Sequence, residues 1–280
     1  MNRPYLFMSG EFQASMPTVF LRDAWQHTMT PKRLLIDNGV LHRENIIEDL
    51  KGIIFYADVD NKDIEIQNLR LLHDNSILCL PLSNTLLNMV DRHEVLLQCS
   101  ILGFVDHPII QARFEEKPSL PLPFVLKIGT SHRGEGKFLI TKEFDMPEWK
   151  GIATIEPFFE GDSIRVLLIK DFVIGNFKAF GIKLKNDNSW IKNSSGADIE
   201  FLEDIPQNLL DHAIAVTKAF ELDIAGVDYI LNKHGFHFLE INQFPGVGAS
   251  DEIIETAKKL FNVWMILIER RYEIDTGKDN

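Results

Sequence analysis

The residues with the clearest chemical potential lie in an acidic segment, Ala225-Gly-Val-Asp-Tyr-Ile-Leu-Asn-Lys-His-Gly-Phe-His-Phe-Leu-Glu-Ile-Asn242. We interpret it as a β-hairpin with Lys233-His234-Gly235 as a three-residue loop. That register predicts Asp228 opposite Glu240, and the period of two along a strand places Asn242 on the same face. Two facing carboxylates repel each other, so a cation between them would stabilise the pair. Carboxylate and amide oxygens suit Mg²⁺ that also binds substrate phosphates, unless these acids lie on a solvated edge.

A second candidate site is a glycine-rich segment that follows a predicted strand. Phe124–Ile128 is rich in β-branched and aromatic residues and leads into Gly129-Thr-Ser-His-Arg-Gly-Glu-Gly-Lys137. Glycines let backbone N–H groups approach a polyphosphate, and Lys127 would add an ammonium group there. The segment is not a Walker loop, because Gly134 is followed by Glu135 rather than by Lys and Ser or Thr. The alternative interpretation is a hairpin turn on a charged surface.

The elements that must position these residues mix strand hairpins with helices. This mixture predicts an α+β or α/β fold with at least two lobes, and the proline-rich stretch 117–123 reads as an extended connector between them. We predict a tight turn at Lys170-Asp171 between two of the strands. The predicted strands are 52–57, 77–82, 124–128, 152–158, 164–169, 172–180 and those of the acidic hairpin, and the predicted helices are 91–102, one after Pro206 and one from Asp251.

Composition narrows the class of protein. The chain has 280 residues, 45% of them hydrophobic, and a formal net charge of −12. So acidic a chain does not suit a duplex nucleic acid or an anionic membrane, and it attracts acidic substrates only if the site itself is basic. No apolar run approaches the ~20 residues that span a bilayer. Two cysteines in apolar contexts and no signal-peptide pattern predict a cytoplasmic protein.

Taken together, the motifs resemble the ATP-grasp superfamily. The resemblance rests on a lysine-ended strand, the glycine-rich segment, the Asp…Glu-x-Asn hairpin and the Pro-Gly that follows, and it runs from about residue 84 to 248. Ala225-Gly-Val-Asp228 and Glu240-Ile-Asn242 are similar to RimK-type carboxylate–amine ligases, whereas the glycine-rich segment and Trp190–Gly196 are more similar to synapsins. The resemblance implies two lobes that hold ATP between them, preceded by a small α/β domain. The implied boundaries are 1–90, 91–157 for the small lobe and 158–280 for the large lobe.

The resemblance also implies roles for individual residues. Lys127 would bind the α- and β-phosphates, and Arg165 would meet the γ-phosphate or an acyl phosphate, which makes these two the implied catalytic residues. Two Mg²⁺ ions, or Mn²⁺ in their place, would be held by Asp228, Glu240 and Asn242. Arg92 stands where relatives carry a lysine, which keeps the charge but changes the geometry. The implied nucleotide contacts are Arg92, Lys127, Ser131, His132, Arg133, Gly134, Gly136, Glu156, Pro157, Phe158, Phe159, Lys178 and Asn193.

The function implied by the resemblance is an ATP-dependent carboxylate–amine ligase. A substrate carboxylate would become an acyl phosphate, and an amine would then displace phosphate to form an amide. The implied partners are the acid and the amine, as small molecules or a peptide tail, with no nucleic acid and no membrane. Relatives form homodimers or homotetramers. A synapsin-like ATP-binding module without ligase activity is the main alternative, and a kinase-like enzyme or thiol ligase on the same fold is a weaker one.

Overall fold

The computed structural model describes residues 5–9, 25–29, 34–37, 40–43, 46–48, 52–56, 62–74, 78–80, 85, 88–89, 91–116, 120–129, 136–142, 146–185, 189–192, 198–243 and 245–275. The helices in these ranges are α1 (Lys62–Asp74), α2 (Arg92–Ile101), α3 (Gln207–Ala219) and α4 (Asp251–Asp275), with a 3₁₀ turn at Phe114–Glu116. The strands are β1 (Tyr5–Ser9), β2 (Trp25–Met29), β3 (Leu34–Asp37), β4 (Val40–Arg43), β5 (Ile46–Glu48), β6 (Gly52–Tyr56), β7 (Leu78–Leu80), β8 (Ile110–Ala112), β9 (Phe124–Ile128), β10 (Lys137–Ile140), β11 (Ala153–Pro157), β12 (Asp162–Asp171), β13 (Asn176–Lys185), β14 (Asp198–Phe201), β15 (Ile224–Asn232) and β16 (Gly235–Asn242).

The N-terminal third contains a parallel sheet. Its strands lie in the order β2-β1-β6-β7, and all three pairings are parallel. Parallel neighbours need a crossover connection, and α1 lies in the connection between β6 and β7. A separate antiparallel sheet consists of β3, β4 and β5. This part of the chain therefore has the α/β character that the sequence predicts.

The rest of the chain contains two antiparallel sheets. The smaller has the order β10-β9-β11-β8, and the larger has the order β14-β13-β12-β15-β16. One face of the smaller sheet has its own core, in which Phe124, Leu126 and Ile155 pack with Trp149. The larger sheet packs against α2 and α3 in a second core that includes Val95, Leu209, Val166, Val227 and Tyr229. These are two lobes, each with a hydrophobic core.

Strand alternation decides which residues of the larger sheet are left for chemistry. Along β12, Ile164, Val166 and Leu168 are buried in the core that contains α2 and α3. Arg165 points to the opposite face, because successive residues of a strand alternate between faces. Asp228 is its direct partner on β15. The charged residues therefore lie on the face turned away from this core.

The turn between β12 and β13 differs from the predicted one. β12 continues through Lys170 and Asp171, and the turn occupies residues 172–175. The Asp171 carboxylate accepts a hydrogen bond from the backbone N–H of Val173 at 2.8 Å, and Gly175 adopts a φ of +73°. A carboxylate that accepts from the following backbone and a left-handed glycine together make the turn later than the charged pair suggested.

The acidic hairpin has the predicted charged pair but not the predicted loop. Asn232 pairs with Gly235, so the loop has two residues, Lys233 and His234. A two-residue loop shifts the register by one and would separate the carboxylates. A β-bulge between the pairs of Asp228 and Tyr229 absorbs the shift, and Asp228 lies opposite Glu240 as predicted.

The final helix is amphipathic. Its 25 residues begin with the exposed acids Asp251 and Glu252, and the buried side includes Ala257, Phe261 and Trp264. Acids in the first turn interact favourably with the helix dipole. Within the described ranges, none of the helices combines the length and the apolar character that a membrane crossing requires.

Candidate active site

The site is formed by two rows of charged residues, one on each lobe. On the smaller sheet, Lys137 of β10 lies directly opposite Lys127 of β9. On the larger sheet, Arg165 of β12 is opposite Asp228 of β15, which is in turn opposite Glu240 of β16. Directly opposed residues share one face of a sheet, so each row presents its side chains together.

The paired lysines of the smaller sheet are compensated by carboxylates. Like charges opposite each other destabilise a sheet, so Lys127 and Lys137 each require a partner. Lys127 forms an ion pair with Glu156 of β11, and both side chains are buried. Burial alone would raise the pKa of Glu156, but Lys127 and His107 outweigh it and lower the pKa below its usual value. Glu156 is therefore an ionised carboxylate that anchors Lys127.

On the larger sheet, Arg165 holds Asp228 in a two-pronged contact. Arg165 Nε and Nη2 donate to the two Asp228 oxygens, each at 2.7 Å. The Asn242 side-chain amide donates to Asp228 Oδ2 at 3.3 Å. Gly226 lies beside this contact, and a Cβ there would be 3.0 Å from Pro245 Cβ and in van der Waals contact with Arg165. The arrangement fixes the position of the Asp228 carboxylate.

Glu240 lies where the two rows meet. Its Oε2 is 3.5 Å from Lys137 Nζ and 3.8 Å from Arg92 Nε, so cations from the smaller lobe and from the start of α2 face it. Burial would raise the pKa of Glu240, but Lys137, Arg92 and Lys127 together hold it well below the usual range. Burial in turn lowers the pKa of Lys137. Glu240 is thus an ionised carboxylate inside the protein.

The donor set around Glu240 fits a bound magnesium ion. Glu240 Oε2 is buried and has no hydrogen-bond partner, although its neighbours are cationic. An unsatisfied buried carboxylate oxygen beside a second carboxylate and an amide is a hard-oxygen set of the kind that Mg²⁺ prefers. Within the described residues, no group of three or more His, Cys, Asp or Glu side chains could hold a metal ion. Phosphate oxygens of a ligand would have to complete the coordination.

A cleft of about 520 Å³ lies beside these residues. Its floor and walls carry Lys127, Lys137, Glu156, Asp228 and Glu240. The rest of the lining comes from the segment that joins the lobes (157–161) and from residues 189–192, together with Val125, Ser163, Ile230 and Leu239. Phe158 and Trp190 meet there edge to face, with ring centroids 6.3 Å apart. The lining of the cleft therefore combines charged and aromatic side chains.

The structure brings most of the predicted residues together. Pro157, Phe158 and Phe159 line the cleft with Lys127, Glu156, Asp228 and Glu240, while Arg92, Arg165 and Asn242 contact the charged residues. Gly136 has a φ of +68°, and its carbonyl accepts a hydrogen bond from Ile128 N at 2.7 Å. The predicted residues that lie outside the described ranges are Ser131, His132, Arg133, Gly134 and Asn193.

Lys178 is not brought to the cleft. Its ammonium donates to Glu252 of α4 at 2.6 Å, and both side chains are largely exposed. It lies on the same face of the sheet as Arg165 but pairs with Ile169, four residue pairs farther along β12. Lys178 lies on the predicted face of the sheet, but α4 begins over that end of β13, and its residue Glu252 binds the ammonium.

Lys137 and His107 are the site residues that sequence reasoning missed. Lys137 is the first residue of β10 and was read only as the end of the glycine-rich segment. Antiparallel pairing across that segment would have found it, because Lys127 and Lys137 flank the glycines. The His107 imidazole lies 3.5 Å from Glu156 Oε2 and is buried. No periodic signal marks it, since it stands in the irregular stretch between α2 and β8.

Comparisons with known proteins agree with this geometry. A family model described as the RimK-like ATP-grasp domain matches residues 110–264, more than half of the chain. A search of curated proteins gave no match. Three similar solved structures are D-alanyl-alanine synthetase A from Vibrio cholerae (TM-score 0.67, 11% identity, 98% of this chain and 100% of that one), the VanG D-Ala:D-Ser ligase from Enterococcus faecalis (0.69, 10%, 96% and 100%) and the ATP-grasp ligase PsnB complexed with minimal precursor, Mg and ADP (0.61, 9%, 94% and 98%). They share its fold at low identity. The chain belongs to the RimK-like ATP-grasp family.

Proposed function

We propose that this protein is an ATP- and Mg²⁺-dependent ligase that joins a carboxylate to an amine. The carboxylate oxygen attacks the γ-phosphorus of ATP, the bond to the β-phosphate oxygen breaks, and ADP leaves. The amine nitrogen then attacks the acyl phosphate, phosphate leaves with the bonding electrons, and the nitrogen loses a proton. The products are an amide, ADP and phosphate. Family membership supports this reaction class, and the cleft supplies the residues for it.

The observation that carries the proposal is the position of Glu240. It lies next to Asp228 and faces Lys137 and Arg92 across the cleft. The cations around the cleft, Arg92, Lys127, Lys137, Arg165 and Lys192, exceed by one the carboxylates Glu156, Glu160, Asp228 and Glu240. A chain with a net charge of −12 therefore concentrates positive charge at one place, which suits a polyphosphate and an acidic substrate.

We assign the metal ligands to Asp228, Glu240 and Asn242. Bound Mg²⁺ would neutralise charge on the phosphates and stabilise the charge that develops during phosphoryl transfer. Arg165 keeps Asp228 in place and lies close enough to the same carboxylates to meet a transferred phosphoryl group. No protein nucleophile is needed, because the carboxylate substrate attacks ATP itself.

We assign the nucleotide to the rest of the cleft. Lys127, held by Glu156, would contact the phosphates, and we add Lys137 as a second ammonium beside it. Phe158 and Trp190 form an apolar part of the lining that suits a base, with Pro157 and Phe159 along the segment that joins the lobes. We propose that ATP lies between the lobes 91–157 and 158–280, with 1–90 as a preceding domain.

The acid and the amine belong to the open part of the cleft. The similar structures include a D-alanyl-alanine synthetase, a D-Ala:D-Ser ligase and a ligase complexed with a minimal precursor, which supports amino acids or a peptide tail as the first substrates to test. A homodimer or homotetramer remains part of the proposal, as do cytoplasmic localisation and Mn²⁺ as an alternative ion.

The experiment is ADP release with Mg-ATP, screened over pooled carboxylates crossed with pooled amines. We expect release only when both pools are present, and Glu240→Gln should abolish it while circular dichroism stays unchanged. Glu252→Gln is the matched control, because this exposed carboxylate pairs with Lys178 outside the cleft. Lys127→Ala should weaken ATP binding severely.

Other outcomes would contradict the proposal. Normal turnover of Glu240→Gln would refute the metal assignment, and an unchanged nucleotide affinity of Lys127→Ala would refute the phosphate assignment. Thermal stabilisation by ATP without ADP release from any pair would support the ATP-binding module instead. Absence of both effects would refute nucleotide binding altogether.

A further inference from the structure

We propose that His107 is a positioning residue, a buried imidazolium that fixes Glu156 and the segment joining the two lobes. Its side chain is 4% exposed, and the Glu156 side chain is 2% exposed. It does not reach the charged rows itself. The proposal rests on the proposed function only for its consequence, nucleotide binding, and not for the charge of the imidazole.

Both ring nitrogens of His107 face carboxylates. Nδ1 lies 3.1 Å from Asp106 Oδ1, and Nε2 lies 3.5 Å from Glu156 Oε2. A neutral imidazole has one N–H and one lone pair, so it would turn the lone pair towards one of these oxygens. Only the protonated ring donates to both carboxylates. The geometry therefore selects the imidazolium.

The electrostatics agree with this geometry. Burial by itself would lower the pKa of His107, but the contacts with Glu156 and Asp106 outweigh burial and raise it. The charged groups that face the ring are Asp106 beside it in the chain and Glu156 on β11, with Lys127 on the far side of Glu156. On β16, Nδ1 of His237 lies 3.0 Å from Oδ2, the other carboxylate oxygen of Asp106.

These contacts join the two lobes around Phe159. The Phe159 ring is stacked on His237, with centroids 3.8 Å apart and planes at 7°. His107 meets the same ring edge-on, with centroids 4.9 Å apart. Asp106 links the two imidazoles, so the smaller lobe, the joining segment and the hairpin of the larger lobe meet at one place.

Through Glu156, His107 also acts on Lys127, the residue that we assign to the phosphates. Glu156 uses one oxygen for Lys127 and turns the other towards His107. A protonated His107 thus fixes the carboxylate that fixes the ammonium. Loss of that proton would leave Glu156 with one cation and loosen both Lys127 and the segment that joins the lobes and lines the cleft.

The direct test is NMR of the imidazole nitrogens in the full-length protein, with His107→Gln used for assignment. We expect His107 to be an imidazolium at about pH 7 and to lose its proton above the usual value of about 6.5. The exposed His234 is the internal reference. A neutral His107 at neutral pH, in either tautomer, would overturn the proposal, whether or not the protein binds nucleotide. If His107→Gln does not fold, the wild-type titration still decides.

The consequence is tested by ATP affinity as a function of pH. Wild type and His234→Gln should lose affinity as the pH rises through the pKa of His107, whereas His107→Gln should bind about tenfold more weakly near neutral pH and lack that transition. Equal affinity and equal pH profiles would refute the positioning role. If none of the three proteins binds ATP, the proposed function fails, and the NMR result alone decides the charge of His107.

Discussion

Replacing Lys137 with Gln should destabilise the protein, although it removes a repulsive pair. Lys137 lies directly opposite Lys127, and like charges in that position cost on the order of 0.2–1 kcal/mol. The substitution relieves this repulsion. It also removes the cation nearest to Glu240, whose Oε2 is 3.5 Å from the ammonium. The sign of the effect depends on which contact is stronger.

The attraction of Lys137 to Glu240 outweighs its repulsion from Lys127, because the ammonium lies close to the carboxylate oxygen. At 3.5 Å, the gross attraction is on the order of 5 kcal/mol with an effective dielectric constant of about 20. Desolvation of the buried ammonium offsets much of it, and Arg92 still faces Glu240 at 3.8 Å after the substitution. Breaking a buried pair costs roughly 3–5 kcal/mol when no other partner remains. We therefore expect a net loss of about 2 kcal/mol.

The loss should depend on pH in a defined direction. Lys137 contributes most to holding the pKa of Glu240 below its usual value of 4.5, so the stabilisation is complete above that value. It is lost as the pH falls through the lowered pKa of the folded state. The gap between wild type and Lys137→Gln should be full at about pH 7 and smaller at about pH 3.5, because the variant's Glu240 takes up a proton more readily than that of wild type.

The assay is urea unfolding of both proteins at these two pH values. Lys183→Gln is the matched control, since Lys183 pairs with Asp162 at 2.6 Å in a more exposed position, and such pairs contribute about 1 kcal/mol or less. Equal stability of wild type and Lys137→Gln at pH 7 would show that the contact with Glu240 does not outweigh the repulsion from Lys127. A gap that does not change with pH would refute the coupling to Glu240.

Two further predictions concern the fold around the site. In the same urea assay, Gly136→Ala should lower the free energy of unfolding by about 2 kcal/mol or more, because its Cβ would overlap the carbonyl oxygen of Ile128. Gly129 is also left-handed but lies in open space, so Gly129→Ala should lower it by about 1 kcal/mol. His212→Leu should cost about 3 kcal/mol above pH 7, since it orphans the Phe104 carbonyl and the Tyr229 hydroxyl, each 2.9 Å from the imidazole. Burial lowers the pKa of His212, so wild type should lose stability below about pH 6.5, and the variant should lack that loss.

Several elements could be predicted from local sequence. The bounds of β9 agree with the predicted strand, and α2 begins within one residue of the prediction because Asp91 caps it by accepting from the His93 backbone N–H at 2.8 Å. Capping and alternation act over a few residues and can be read directly. The ATP-grasp fold of the RimK-like family is confirmed as well.

The register of the acidic hairpin was harder to predict from the sequence. The opposition of Asp228 and Glu240 is confirmed, but the three-residue loop that predicted it was wrong, and a bulge restores the pair. A bulge inserts one unpaired residue without a marked sequence signal, so counting along the chain cannot detect it. In this hairpin the bulge offsets the shorter loop, so the charged pair forms although the loop differs from the predicted one.

The amino-acid sequence by itself determined which charged residues share a face of each strand, because the alternation of side chains along a strand is local. It thereby specified the carboxylates Asp228 and Glu240 and the lysine of β9. Only the tertiary structure decided which charges meet between separate elements. Lys137 reaches Glu240 and His107 reaches Glu156, while Lys178 is taken by α4. Such contacts depend on how separate sheets and helices pack, and the distance between residues along the chain carries no information about them.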